Sequence, residues 1–164
     1  MPEQLDYISI EKKYVKPLKE ENEPHYSECE KRLIAYSLAW EGHIAIYYNQ
    51  PYYQPRIVIT NTEQDLLQNF HKIAKLGRIT PPKRLEPNCK PLSQWLITSY
   101  CEILFFLQKV IPHVPSRRKR KVGTLVSEFC ESRIRKHKQK FPLDYDEREL
   151  WIVQEVQRLN KRGL

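Results

Sequence analysis

Glycine is nearly absent from this chain, with four in 164 residues. No glycine-rich loop is available to wrap a phosphate chain, which argues against nucleotide hydrolysis. No apolar run reaches the length that spans a bilayer, and the first residues, Met1 to Asp6, do not have the charged-then-apolar order of a signal peptide. The expectation is an intracellular protein without membrane contact, cytoplasmic or, in a eukaryotic host, organellar. Cys29, Cys89, Cys101 and Cys130 are widely scattered, and no CxxC or HxxxH spacing occurs. A structural zinc is therefore not expected, and free thiols are. The five histidines form no constellation either.

What is present is enough for a folded domain. Apolar residues make up 40% of the chain, with 3 Trp, 10 Tyr and 5 Phe, which excludes a disordered segment. The length suits one domain with a sizeable core. Net charge is +8 and unevenly placed. Residues 117–140 hold ten Lys or Arg against Glu128 and Glu131, whereas residues 1–30 hold eight acids against four bases. A basic end on a folded chain suggests a polyanion, most simply nucleic acid.

Residues 1–26 are polar and read as an N-terminal arm with a short strand near Tyr7–Ile10, leaving 27–164 as the domain. Ser27 with Glu30 is a capping box that opens a helix ending at Glu41. His43 to Tyr48 and Arg56 to Thr60 alternate as strands, joined by a long tip that starts at Asn49. Thr62 with Asp65 signals a second helix, which Gly77 follows. Short strands around Arg78–Thr80 and Ser93–Thr98 come next. Ser99 with Glu102 opens a third helix, stopped by Pro112. Val122, Leu125, Val126 and Phe129 mark a fourth helix, and a fifth spans roughly 146–160.

The order αββαββα plus two C-terminal helices lacks the strand–helix–strand alternation of a parallel sheet. The fold class is α+β, a curved four-stranded antiparallel sheet with helices on one face. Alternation leaves His43, Ala45, Tyr47, Arg56, Thr60, Arg78, Thr80, Gln94 and Thr98 on the other face, to which Asn49 and Leu96 are added as candidate contacts. That surface is mostly polar or cationic and free of acids, suited to a major groove where Arg reads guanine and Gln reads adenine.

In the first helix Ala35, Ala39 and Gly42 share a face. They would let a second helix approach closely, while Leu33, Ile34, Tyr36, Ser37 and Trp40 would cover the sheet. If the second helix belongs to another copy, two Glu41 carboxylates meet near a two-fold axis. The stretch Ile34 to Gly42 resembles the signature of the LAGLIDADG homing endonucleases. Ile34, Ala35 and Leu38 fit its letters, and Glu41-Gly42 fit its closing acid and glycine; Tyr36, Ala39 and Trp40 depart from it. Looser matches include Ile59 to Thr62, Trp95 to Ser99, Val110 to Pro112 and Val156 to Asn160.

This resemblance, over about residues 31–162, implies a single-motif endonuclease acting as a homodimer on a long, near-palindromic double-stranded DNA. It implies that Glu41 and the Trp40 carbonyl hold Mg²⁺, the natural ion for carboxylate and phosphate oxygens. It further implies an active-site lysine in a loop before the fourth helix. Lys119 fits, with Arg118, Arg120 and Lys121 as rivals, and Thr60 or Asn61 would orient water. Arg117, Arg118 and Lys121 would contact phosphates. The alternative is an RNA maturase, with intron RNA as partner, or a catalytically silent DNA-binding relative.

Overall fold

The computed structural model describes residues 9–50, 52–139 and 144–161. A 3-10 turn at Glu20–Asn22 precedes helix α1 (Glu28–Glu41). Strands β1 (Gly42–Asn49) and β2 (Tyr52–Asn61) follow, then α2 (Gln64–Ala74), β3 (Arg78–Ile79), β4 (Ser93–Ile97) and α3 (Tyr100–Val110). A second 3-10 turn, Ile111–His113, leads into α4 (Arg117–Gln139) and α5 (Glu147–Asn160). The class is α+β, in the expected order. The sheet is antiparallel throughout, with strand order β1-β2-β4-β3. Among the described residues no helix is long and apolar enough to cross a membrane.

The hairpin is longer than its alternation suggests. Tyr52 already pairs with Asn49, so only residues 50 and 51 separate the strands. The break at Asn49-Gln50-Pro51, with alternation resuming at Arg56, makes this stretch read as a tip, yet Pro55 lies within β2. It pairs with Ile46 on a part of β2 that β4 does not reach, since β4 meets only Ile57 to Asn61. A strand tolerates proline where one side has no neighbour.

Cap signals hold unevenly. Ser27 Oγ accepts the Glu30 N–H at 3.1 Å, as its spacing predicts. At α2 the expected Thr62 gives way to Glu63 without a side-chain bond, and Asn61 Oδ1 instead accepts the Glu63 N–H at 2.9 Å. Ser99 caps α3 without a side-chain bond. The clearest box is Asp146 with Glu149 at α5, each side chain bonded to the other's backbone.

The core lies between the sheet and the helices. Trp95 is fully buried, its ring 4.6 Å from that of Phe70 and 5.7 Å from that of Phe106. Its indole N–H donates to Leu76 O at 3.0 Å, so its polar atom is satisfied where it is buried. Three of the scarce glycines leave no room for a Cβ, which at Gly42 would sit 2.8 Å from Leu38 Cα. Gly77 has φ +83, and a Cβ there would meet Leu96 O at 2.7 Å. A Cβ on Gly123 would sit 1.9 Å from Ile111 Cδ1, so α4 lies directly on the second 3-10 turn. The four cysteines are free.

The segment read as an arm is part of the domain from residue 9 onward. Residues 9–12 are helical where a strand was expected; Tyr7 and Ile8 lie outside the described residues. Tyr26 is buried, and Tyr14 O accepts the Tyr100 N–H at the start of α3. Glu11 is fully buried: its Oε1 lies 2.7 Å from Arg133 Nε and 2.9 Å from His137 Nε2, while its Oε2 accepts from the Tyr145 hydroxyl at 3.2 Å. A carboxylate with three partners buries readily, which a polar, irregular sequence does not reveal.

Candidate active site and nucleic-acid interface

Helix α1 ends where β1 begins, and the change of direction exposes the Glu41 side chain. Its carboxylate has no hydrogen bond or ion pair among the described residues. It opens on a cleft of about 370 Å³ lined by Trp40, His43, Arg118, Lys119 and Asn160, among others. Asn160 Nδ2 donates to Ile44 O at 2.9 Å and Arg118 Nη1 donates to Leu159 O at 2.8 Å, so the end of α5 closes the cleft against β1 and α4. The Asn160 contact spans 116 residues of chain, and no local signal points to it.

Lys119 is in the cleft, as the resemblance implies, but on a helix and already hydrogen-bonded. Residues 117–121 are the first turns of α4, not a loop. The Lys119 ammonium donates to Leu38 O at 2.9 Å, Ala39 O at 2.7 Å and Gly42 O at 2.8 Å. Two of these carbonyls belong to the last turn of α1, where Leu38 O also accepts the Gly42 N–H, and the third opens β1; the ammonium omits the Trp40 carbonyl. All three ammonium protons are committed to holding the end of α1. Burial lowers the Lys119 pKa, repulsion from Arg118 adds to this, and Glu41 opposes it. Burial likewise lowers the His43 pKa, helped by Lys119 and Arg118, so the neutral ring is favoured.

Thr60 and Asn61 do not join this cleft. Thr60 Oγ1 accepts from Gln94 Nε2 at 3.2 Å and lines a separate groove of about 790 Å³ with Thr80, Lys83 and Gln94. Asn61 is occupied at the start of α2.

The exposed face of α1 differs from the expected one, except at Ile34, which lies inward as expected. Ile34, Ala35 and Leu38 are buried, Ala39 packs against the core, and Gly42 is buried. Leu33 and Tyr36 are half exposed, and Trp40 is 81% exposed. Both faces of α1 carry apolar residues, so periodicity alone left the choice open. The crowded contacts with α2, α3 and β1 take the small side chains inside. Ala35, Ala39 and Gly42 therefore are not the outer face.

On the open sheet face His43, Tyr47, Asn49, Thr60, Arg78 and Gln94 are exposed, and Arg56, Thr80 and Thr98 are partly so. Two of the expected contacts are covered. Ala45 is 5% exposed because its methyl lies between the longer His43 and Tyr47 side chains. Leu96 is 6% exposed, between Val58 and Arg78 across the ladder. Beside the sheet, Arg117 and Arg118 are exposed, and Lys121 pairs with Glu155 at 3.5 Å. No acid stands in the first turn of α4, where the helix dipole is itself positive, so no acid of that turn offsets Arg117 and Arg118.

This architecture is that of the LAGLIDADG homing endonucleases. It matches the homing endonuclease I-CvuI in complex with its target in the presence of calcium, at a TM-score of 0.61 and 18% identity over 83% of this chain and 84% of that one. It matches the archaeal intron-encoded homing endonuclease I-Vdi141I complexed with DNA at 0.60 and 16%, over 83% and 86%. The LAGLIDADG meganuclease I-AabMI bound to uncleaved DNA matches at 0.59 and 16%, over 82% of this chain and 46% of that one. No protein-family model matches the chain, and no curated protein matches it by sequence. Identity this low carries the fold, and function has to be argued from the site.

Proposed function

We propose that this chain is a site-specific endonuclease for double-stranded DNA that works as a homodimer with divalent metal. The observation that carries this reading is the unpaired Glu41 carboxylate at the mouth of a cationic cleft, next to an acid-free sheet face. The Glu41 carboxylate and the Trp40 carbonyl are hard oxygen donors of the kind Mg²⁺ takes. The described residues contain no group of three metal-ligating His, Cys, Asp or Glu side chains. One protomer therefore offers one carboxylate, and a second copy with the phosphate oxygens completes the set. Bound there, the ion supplies charge neutralisation at the scissile phosphate. Glu41 would hold it, Lys119 fixes the helix end that carries Glu41, and His43 and Arg118 line the cleft that a phosphate would enter. The test is cleavage of DNA carrying a selected target, with Mg²⁺ present and withheld. A protein that binds such DNA and never cuts it, or that binds intron RNA instead, supports the silent or maturase alternative.

The second copy is expected on the exposed stripe Leu33, Tyr36 and Trp40, which brings the two Glu41 residues together. Tyr36→Lys strands a charge in that contact. Association should weaken by roughly 100-fold, about 3 kcal/mol. Sedimentation velocity of the two proteins checks this, and an unchanged dimer would place the interface elsewhere.

DNA affinity should fall steeply with salt, because each neutralised phosphate releases a counterion. Arg117 has no partner among the described residues. Arg117→Ala should reduce the slope of log K against log salt by about 0.9 for each phosphate that Arg117 neutralises. Titrations at several salt concentrations measure it, and an unchanged slope would remove Arg117 from the interface.

A further inference from the structure

One polar cluster on the open sheet face is packed instead of solvated. Gln54 is 1% exposed although it points to the side away from the helices. Its Oε1 accepts from Arg56 Nη2 at 2.8 Å, Arg56 Nε at 3.3 Å and Asn49 Nδ2 at 3.3 Å. Three converging donors assign that atom as the oxygen. Asn49 Nδ2 also reaches the Tyr52 hydroxyl at 3.2 Å. The Arg56 guanidinium carbon lies 5.4 Å from the centre of the Tyr47 ring. The register explains the grouping: Gln54 stands opposite Tyr47, Tyr52 opposite Asn49, and Arg56 opposite Ala45, whose methyl leaves room for the guanidinium.

The geometry divides the guanidinium into two edges. The Nε–H and the Nη2–H parallel to it converge on one oxygen, Gln54 Oε1. The other edge, made of Nη1 and the second Nη2–H, has no partner among the described residues. Those parallel donors form the fork that matches O6 and N7 of guanine in the major groove. An arginine held on one edge and against a ring loses little freedom when a base arrives, so more of the contact appears as discrimination.

We propose that Arg56 reads one guanine in each half of the target duplex, and that Gln54 is the buried positioning residue that aims it. This rests on the DNA-binding reading of the sheet face. Gln54 itself is too buried to meet a base. Its effect on specificity runs through Arg56 alone.

The experiment is selection of targets from a randomised duplex library by the full chain, with Ca²⁺ in place of Mg²⁺. The wild-type protein should enrich guanine at one pair of positions symmetric about the target centre. Arg56→Ala and Gln54→Leu should each relax that pair by roughly tenfold or more and leave the other positions unchanged. Arg56→Lys should fail to restore it, because a point charge does not match the fork, while keeping the salt dependence. Gln54→Glu keeps the acceptor and should retain the guanine preference. If Gln54→Leu folds poorly, Arg56→Lys and Gln54→Glu ask the same question in a folded protein. No enrichment at any position by the wild type overturns the site-specific DNA reading. Enrichment that Arg56→Ala leaves intact overturns the role of Arg56 alone. Loss of the preference in Arg56→Ala with no change in Gln54→Leu overturns the positioning role of Gln54.

Discussion

Glu41→Gln should lose cleavage by ~10²–10³ or more, the scale on which single electrostatic stabilisers act, while DNA binding survives. The amide keeps the size and hydrogen-bonding capacity of the side chain and removes the charge that would hold a divalent cation. Nothing else should move, since the carboxylate makes no bond to the rest of the described protein, and the end of α1 is held by Lys119 through three carbonyls. Single-turnover cleavage and equilibrium binding on one selected duplex separate the two effects. Glu41→Gln that cuts at the wild-type rate would falsify the proposed chemistry. Lys119→Met gives the complementary result. Cleavage should fall because the last turn of α1 loosens, so hydrogen exchange at Ala39 to Gly42 should quicken in parallel. A fall in cleavage with unchanged exchange would mean that the ammonium acts on the reaction directly.

The largest effect on stability is expected at Arg133. Its side chain is fully buried in α4 and joins Glu11 at 2.7 Å to Glu149 at 3.1 Å. Around it, Ser132 Oγ donates to Glu149 Oε1 at 2.6 Å and the Arg133 guanidinium lies 4.3 Å from the centre of the Tyr145 ring. Arg133→Met removes the cation that the two buried carboxylates share, leaving Glu11 with His137 and Tyr145 and Glu149 with Lys136 at 3.0 Å, and should cost about 3 kcal/mol, the low end for breaking a buried pair. Urea denaturation would measure it, and a loss under ~1 kcal/mol would mean the cluster relaxes into water. The same cluster sets a pH dependence. Burial pushes the Glu11 carboxyl up, but contacts with His137 and Arg133 outweigh it and leave the pKa below its ordinary 4.5. A depressed carboxyl pKa contributes stability that is present above the unfolded value and lost as pH falls through the folded one. Glu11 therefore stabilises the domain above the ordinary glutamate pKa, and that contribution is lost as pH falls past it towards the lower folded value. Glu11→Gln should flatten stability against pH in that acid range.

How much of this was legible varies from residue to residue, for physical reasons. The junction of Glu41 and Gly42 reads directly from the chain, because a helical period gives way there to strand alternation. The basic segment 117–121 reads as a charge excess, yet its helical state and its reach to the end of α1 depend on packing 77 to 81 residues away. Gln54 attracts no notice in sequence, since a glutamine near a proline resembles a turn. Its burial follows from the pairing of Tyr52, Tyr53 and Gln54 with Asn49, Tyr48 and Tyr47, which local propensity did not predict.

By itself the sequence determined the helix and strand order, the α+β class, the acid at the helix–strand junction and the polar character of one sheet face. These follow from periodicity and charge, which act over one or two turns of chain. Tertiary structure alone decided which face of α1 is inside, that β2 lies beside β4, that residues 9–26 belong to the domain, and that Lys119 holds α1 instead of facing open solvent. Each of these is a choice between locally equivalent arrangements. It is made by the volumes that fit between packed elements and by the partners that buried polar groups require, and those partners lie tens of residues away along the chain.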